Sequence, residues 1–173
     1  GVQPPSSANP LEFIGMDFRT CKRDGLILVQ EGSEAGTFIW VSLTDTSLVV
    51  RWNLGGDGPR ELIDSDANLA DCQWHRVTIL LTEKSLEITI DGRTNTAFGR
   101  MKQFVPASQD TTIGNLGDAT LEVQQGKPWG TQKPLIGCVR DLQFGQAEDS
   151  APVVVFSTTT VAHTDVSYEC TQE

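Results

Sequence analysis

The sequence predicts an all-β fold, an antiparallel two-sheet jelly-roll sandwich, and three observations predict it. Apolar residues recur with a period of two over runs of strand length, which is the signature of a half-buried strand. Gly/Asp/Pro/Ser turn signals separate these runs at near-regular spacing, as in sandwiches. No segment sustains a 3.6-residue apolar period over ten residues, so helices have no claim on the core.

Taken in chain order, Phe13 to Arg19 and Leu26 to Gln30 are short strand candidates. Residues 37–44 and 48–54 are β-branched and aromatic runs bracketing Asp45-Thr46-Ser47, a hairpin with a short turn. In its second strand Leu48, Val50, Trp52 and Leu54 share one face, and Val49, Arg51 and Asn53 take the other. Trp74 to Leu81 turns at Glu83-Lys84-Ser85 into Leu86 to Ile90, ending on Asp91-Gly92, a pair that tolerates positive φ. Shorter candidates follow at Thr111 to Ile113, Val139 to Phe144 and Val153 to Val161. The main breaks are Gly55 to Pro59 and Asn115 to Pro134. Trp52, Trp74, Ile79, Ile88, Ile90 and Val139 are expected in the core, with Trp74 as a large anchor at a strand start.

The 173 residues suit one domain spanning 1–173. Thirteen Lys+Arg against 23 Asp+Glu give a net charge of −10, which repels phosphate backbones and anionic lipid headgroups. Nucleic acid is therefore not expected as a partner. Heparin is not expected either, since no Lys/Arg cluster stands in the sequence. No apolar run approaches the ~18 residues of a membrane span, and the first residues lack the features of a signal peptide, so the chain reads as a module or mature segment.

Catalytic constellations fail on spacing. Glu87 and Asp91 share a strand face, but four residues separate them by roughly 13 Å, against about 5–9.5 Å for two-carboxylate glycoside hydrolysis. Asp64 and Asp66 sit in a turn-forming Ser/Asp/Asn stretch, and His75 reads as a structural side chain. Gly-x-Ser-x-Gly, His-Glu-x-x-His and phosphate-cradling motifs are missing, so no enzymatic activity is expected. Cys21, Cys72, Cys138 and Cys170 form no Cys-x-x-Cys, and His75 and His163 stand at no zinc-ligand spacing from them. Two disulfides account for them, and three pairings remain open.

Several residue groups together resemble laminin G-like domains. Asp17-Phe18-Arg19-Thr20 followed by Asp24-Gly25-Leu26-Ile27-Leu28 is similar to the family's "F-x-T … G-L-L-L" opening. Leu69 to Val77 is similar to its "D-G-x-W-H-x-V" strand entry, Leu86 to Gly92 to "L-x-V-D-G", and Thr112-Ile113-Gly114 to "L-Y-I-G-G". Leu135 to Leu142, with Cys170, is similar to its "F-x-G-C-I-R-D-L … C" close. In this order the matches cover residues 13–170.

Such modules occur in neurexins, laminins, contactin-associated proteins, Crumbs and seven-pass cadherins. The resemblance implies an extracellular protein-binding or adhesion module of a larger cell-surface or matrix protein, with EGF-like neighbours and an extracellular protein ligand. A glycan-binding or glycan-processing jelly roll, with a glycan as partner, and a passive spacer are the alternatives. The resemblance also implies a closing Cys138–Cys170 bridge. Cys72, standing where the family has glycine, and Cys21 then form a second one. Residues 1–12 represent the family's first strand poorly and read as an incomplete strand or linker.

Many members hold one Ca²⁺ at the sandwich rim, and the corresponding positions fall on Thr37, Leu54, Phe104 and Pro106. Thr offers a neutral oxygen and Pro no side-chain ligand, whereas Ca²⁺ takes six to eight oxygens with carboxylates among them. The site is therefore expected to be lost and no cofactor is expected, with Asp57 and Asp110 placed for a shifted calcium site. Partner contact is expected at the rim or an edge strand. Trp129, flanked by Lys127 and Lys133 in the long Asn115 to Pro134 stretch, together with Asp57, Arg60 and the Lys102 to Asp110 stretch, is the expected contact surface, the alternative being that Trp129 folds back to cover the sandwich edge.

Overall fold

In the computed structural model, residues 11–56, 58–105, 133 and 135–145 are described, with the backbone alone of residues 112–113, 153–156 and 160–161. Among these residues twelve strands follow one another. They are β1 (Phe13–Thr20), β2 (Gly25–Glu31), β3 (Phe38–Thr44), β4 (Ser47–Asn53), β5 (Arg60–Asp64), β6 (Trp74–Leu81), β7 (Ser85–Ile90), β8 (Arg93–Phe98), β9 (Thr112–Ile113), β10 (Gly137–Gly145), β11 (Val153–Phe156) and β12 (Thr160–Val161). One sheet runs β11-β10-β1-β6-β7-β8, with β12 also pairing β10, and the other runs β5-β4-β3-β2-β9. Every pairing is antiparallel. The expected two-sheet sandwich is therefore the fold.

The alternation read from the sequence holds where apolar residues carry it. β7 alternates half-buried Ser85, Glu87 and Thr89 with buried Leu86, Ile88 and Ile90. Leu48, Val50 and Trp52 of β4 join Ile14, Met16, Phe18, Val77, Ile79 and Val139 in the core between the sheets. Both two-residue turns take the left-handed backbone that the strand twist favours, Asp45-Thr46 at φ 49° and 70° and Asp91-Gly92 at 48° and 87°. The first turn is pinned by its surroundings. The Asp45 amide donates to Asp24 Oδ1 at 2.9 Å, the Thr46 amide to the Arg23 carbonyl at 2.9 Å, and Arg23 pairs with the Asp45 carboxylate. Gly137 permits a close approach of β10 to β1, since a Cβ there would run into the Arg19 carbonyl.

Four expectations need correction. Arg60–Asp64 and Arg93–Phe98 are strands, although neither shows an apolar alternation. Val153 to Val161 is two short strands and not one. Trp74 is not a core residue. Its strand buries His75, Val77, Ile79 and Leu81, so Trp74 lies half-buried on the outer face. There the Arg140 guanidinium stacks 3.8 Å from its ring centre and Arg19 lies 5.1 Å away. The indole nitrogen is buried without a hydrogen-bond partner. Asp17, between the two arginines Arg76 and Arg140 at 3.2 Å each, completes this ionic face.

Candidate functional site

Antiparallel order brings the ends of β2, β4, β6 and β8 to the same end of the sandwich as the starts of β1, β3, β5 and β7. Two of the loops there are packed together by glycine. Gly55 and Gly56 have φ of 77° and 73°. A Cβ on Gly56 would strike the Arg100 carbonyl, and one on Gly55 would meet the Lys102 side chain at 3.0 Å. Arg60, opening β5, lies over the Trp52 ring at 5.7 Å and donates to the Phe98 carbonyl. Lys84 joins the group through its carbonyl, which accepts from the Gly99 amide at 2.9 Å. Arg60, Lys84, Arg100 and Lys102 thus share one corner of a chain with net charge −10.

The family's calcium positions also lie at this end. Thr37 donates its hydroxyl to the Glu34 carbonyl at 2.7 Å, and its amide donates to the same oxygen at 3.1 Å. The Phe104 carbonyl accepts from the Leu11 amide at 2.6 Å, and the side chains of Leu54 and Phe104 are buried. These positions offer only neutral oxygens, a poor fit to a hard cation that takes carboxylates. Pro106, Asp57 and Asp110 lie outside the described residues.

Lys133 is not at this rim, which corrects the expectation that it joins Arg60 and Lys102 in one contact surface. Its carbonyl accepts from the Leu26 amide at 2.9 Å and its ammonium lies 3.6 Å from Asp24, both at the start of β2 and so at the opposite end of the sandwich. Trp129 and Lys127 lie outside the described residues. Of the expected contact residues, Arg60 and Lys102 are therefore brought together. Lys84, Arg100 and the exposed Phe98 were not anticipated, because their grouping comes from strand pairing and not from local sequence.

The opposite end holds a different constellation. His75, 9% exposed, sits between two carboxylates, its Nδ1 2.6 Å from Asp91 Oδ2 and its Nε2 2.7 Å from Asp71 Oδ1. Asp91 also accepts from the Arg76 amide at 2.9 Å. Two acceptors on two ring nitrogens suit the doubly protonated imidazolium. Burial opposes that charge, but hydrogen bonds and charge attraction from Asp91 and Asp71 outweigh it and hold the His75 pKa above its ordinary 6.5. At Asp71 burial is likewise outweighed, by the His75 hydrogen bond above all, and its pKa lies below 3.8. Since the folded pKa of His75 is raised, its stabilisation is complete below pH 6.5 and lost as pH rises through the folded value. The Asp71 contribution is present above pH 3.8 and lost as pH falls through its depressed value. Urea midpoints should therefore fall between the acidic and alkaline sides of His75's titration, and His75→Gln should flatten that fall. An unchanged slope would reject the charged clamp.

Beside the clamp, Cys21 and Cys72 are disulfide-bonded with Cα atoms 4.5 Å apart, as the resemblance implied. Cys138, buried on β10, is also in a disulfide, and Cys170 lies outside the described residues.

Comparison with known proteins gives consistent results. The Laminin G domain model matches residues 18–147. The mouse (Mus musculus) protein "Basement membrane-specific heparan sulfate proteoglycan core protein" is 31% identical over 147 residues, 82% of this chain and 4% of that protein. "Neurexin 1" of Drosophila melanogaster is 27% identical over 107 residues, 60% of this chain and 6% of that protein. Human (Homo sapiens) "Pikachurin" is 29% identical over 132 residues, 73% of this chain and 12% of that protein. The chain thus spans between 4% and 12% of these relatives' lengths. Among solved structures, mouse laminin alpha1 domains LG4-5 superpose with a TM-score of 0.68 at 19% identity, over 92% of this chain and 42% of that one, which shows the same fold.

Proposed function

We propose that this chain, which belongs to the laminin G domain family, is an extracellular protein-binding module of a larger adhesion or matrix protein. It meets its partner at the rim where Gly55, Gly56 and Arg60 lie against Phe98, Arg100 and Lys102. Laminin G domains of matrix and adhesion proteins are non-enzymatic modules, and the short share of each relative that the chain matches is what one module of a larger protein gives. The observation that carries the reading is the gathering of Arg60, Lys84, Arg100 and Lys102 on loops of one end while the chain as a whole carries −10. Cations gathered at one end of a net-acidic chain favour an approaching partner with acidic groups, and loops on a rigid sandwich are where contacts are made. Because Thr37 and Phe104 offer a cation only a neutral hydroxyl and a neutral carbonyl, the contact is read as calcium-independent.

The test is affinity capture from extracellular and membrane fractions with the 173-residue chain, followed by titration of the identified protein. Arg60→Glu with Lys102→Glu should weaken binding by roughly tenfold or more, equally in calcium and in chelator. Lys133→Glu, at the far end, should leave it unchanged. Binding abolished by Lys133→Glu and indifferent to the rim pair would reject the reading.

A further inference from the structure

We infer that the outer edge of β8 is a docking strand for an extended acidic segment of a partner protein. This rests on the rim reading above, because the edge runs into the same cationic corner. The Ile90↔Arg93 pair closes a two-residue turn and is hydrogen-bonded, so the pairs alternate from there. The Gly99 amide, donating to the Lys84 carbonyl at the other end, confirms the parity. The backbone groups of Arg93, Asn95 and Ala97 therefore face β7, and those of Thr94, Thr96 and Phe98 face away from the sheet. One of these outward acceptors is already used by a donor from outside the sheet, since the Phe98 carbonyl takes the Arg60 guanidinium.

Edges are ordinarily blunted by charge, proline or a bulge. β5, the edge strand of the other sheet on this side, follows Pro59 and carries Arg60, Glu61 and Asp64. β8 reads Arg-Thr-Asn-Thr-Ala-Phe and has no bulge. Its single charge is turned inward, Arg93 to Asp64 at 3.2 Å, with Asn95 donating to the same carboxylate at 2.8 Å. Thr94 and Thr96 are exposed, and Phe98, 74% exposed, stands on the outer face as an apolar anchor. Main-chain pairing supplies affinity, and alternate side chains supply specificity.

Charge selects the occupant. Beyond Phe98 lie Arg60, Lys84, Arg100 and Lys102, while Glu87, opposite Thr96, and Glu83 are the carboxylates on the β7 side. Acidic residues of the bound segment accordingly sit toward the Phe98 end. The β8 edge of a second copy, Arg-Thr-Asn-Thr-Ala-Phe, carries no acidic residue to meet this corner.

The probe is a fluorescent seven-residue peptide alternating Glu with Val around a central Phe. Its controls are the same peptide with prolines replacing the valines, and an oligo-Glu of equal charge. Anisotropy titration of the full chain should show the alternating probe binding, weakened roughly tenfold by Thr96→Pro and by Lys84→Glu with Arg100→Glu. Thr96→Pro removes an outward N–H and leaves the β7 ladder whole. If that variant loses its melting transition, slowed amide exchange at Thr94 and Thr96 on adding the probe reads the same contact in the parent chain. Equal binding of the proline or oligo-Glu control, indifference to Thr96→Pro, or amides that stay unprotected would overturn the inference. So would a concentration-dependent dimer abolished by Thr96→Pro, which would assign the edge to a second copy. Partner binding that responds to Arg60→Glu with Lys102→Glu but not to Thr96→Pro would overturn the edge and leave the rim standing. Indifference to the rim pair would overturn the rim itself.

Discussion

Trp52→Ala is expected to destabilise the chain by about 3–5 kcal/mol, read as a fall in the urea midpoint at constant slope. Trp52 is 1% exposed and faces the core from the strand next to the β5 edge, in register with Ile39 on one side and Arg60 on the other. Alanine there loses the buried area of a large aromatic and leaves a cavity that neighbouring strands, fixed by their ladders, cannot close. Trp74→Ala should cost less. It gives up stacking with Arg140 on a half-buried outer face, and it removes a buried indole N–H that has no partner, which is itself unfavourable. Equal losses at the two tryptophans would contradict the facing of β6.

That contrast also shows what was legible in the sequence. Val77, Ile79 and Leu81 share one parity on β6, and Trp74 has the other, so a period of two could not bury Trp74 with Ile79. Size and a motif position outweighed parity in the expectation, and parity decides the structure. β5 and β8 escaped notice for a related reason. Edge strands are under pressure to be polar, so Arg60–Asp64 and Arg93–Phe98 lack the apolar alternation by which central strands announce themselves. The inner face of β8 contributes Ala97 and an ionic contact to Asp64 where a central strand would contribute Ile or Val. The rim was legible in part. Gly55 and Gly56 marked a loop, but that the loop packs on Arg100 follows only once β4, β5, β7 and β8 are paired. No local cluster signals the corner, because its four cations are drawn from positions 60, 84, 100 and 102. The aspartates around His75 had a weak signal, one four residues before it and one in the turn after β7, but their convergence needs the register of β6 and β7.

Removing the Cys21–Cys72 bridge by Cys21→Ser with Cys72→Ser is expected to cost about 4 kcal/mol. The bond spans a sequence separation of 51, and loop-closure entropy for a loop of that length gives about this value. Both cysteines are exposed, so the pair of substitutions removes little buried area and isolates the constraint on the unfolded chain. Cys72 adds a second, separable term. It holds φ at 64°, in the left-handed region, at the position where the family has glycine. Its amide still donates to the Thr20 carbonyl at 3.0 Å, so the conformation is tied to β1 by the backbone as well as by the sulfurs. Without the bridge, glycine at 72 is preferred over serine by about 1 kcal/mol, the strain of a side chain in that region. Urea unfolding should therefore rank the parent first, Cys21→Ser with Cys72→Gly second, and the double serine variant last. A parent within about 0.5 kcal/mol of the double serine variant, the size of an ordinary surface change, would mean that the unfolded chain gains almost no freedom when the bond is absent. A double serine variant as stable as the glycine one would mean that the left-handed turn at 72 relaxes once the sulfurs are gone, leaving the Thr20 contact too weak to impose it.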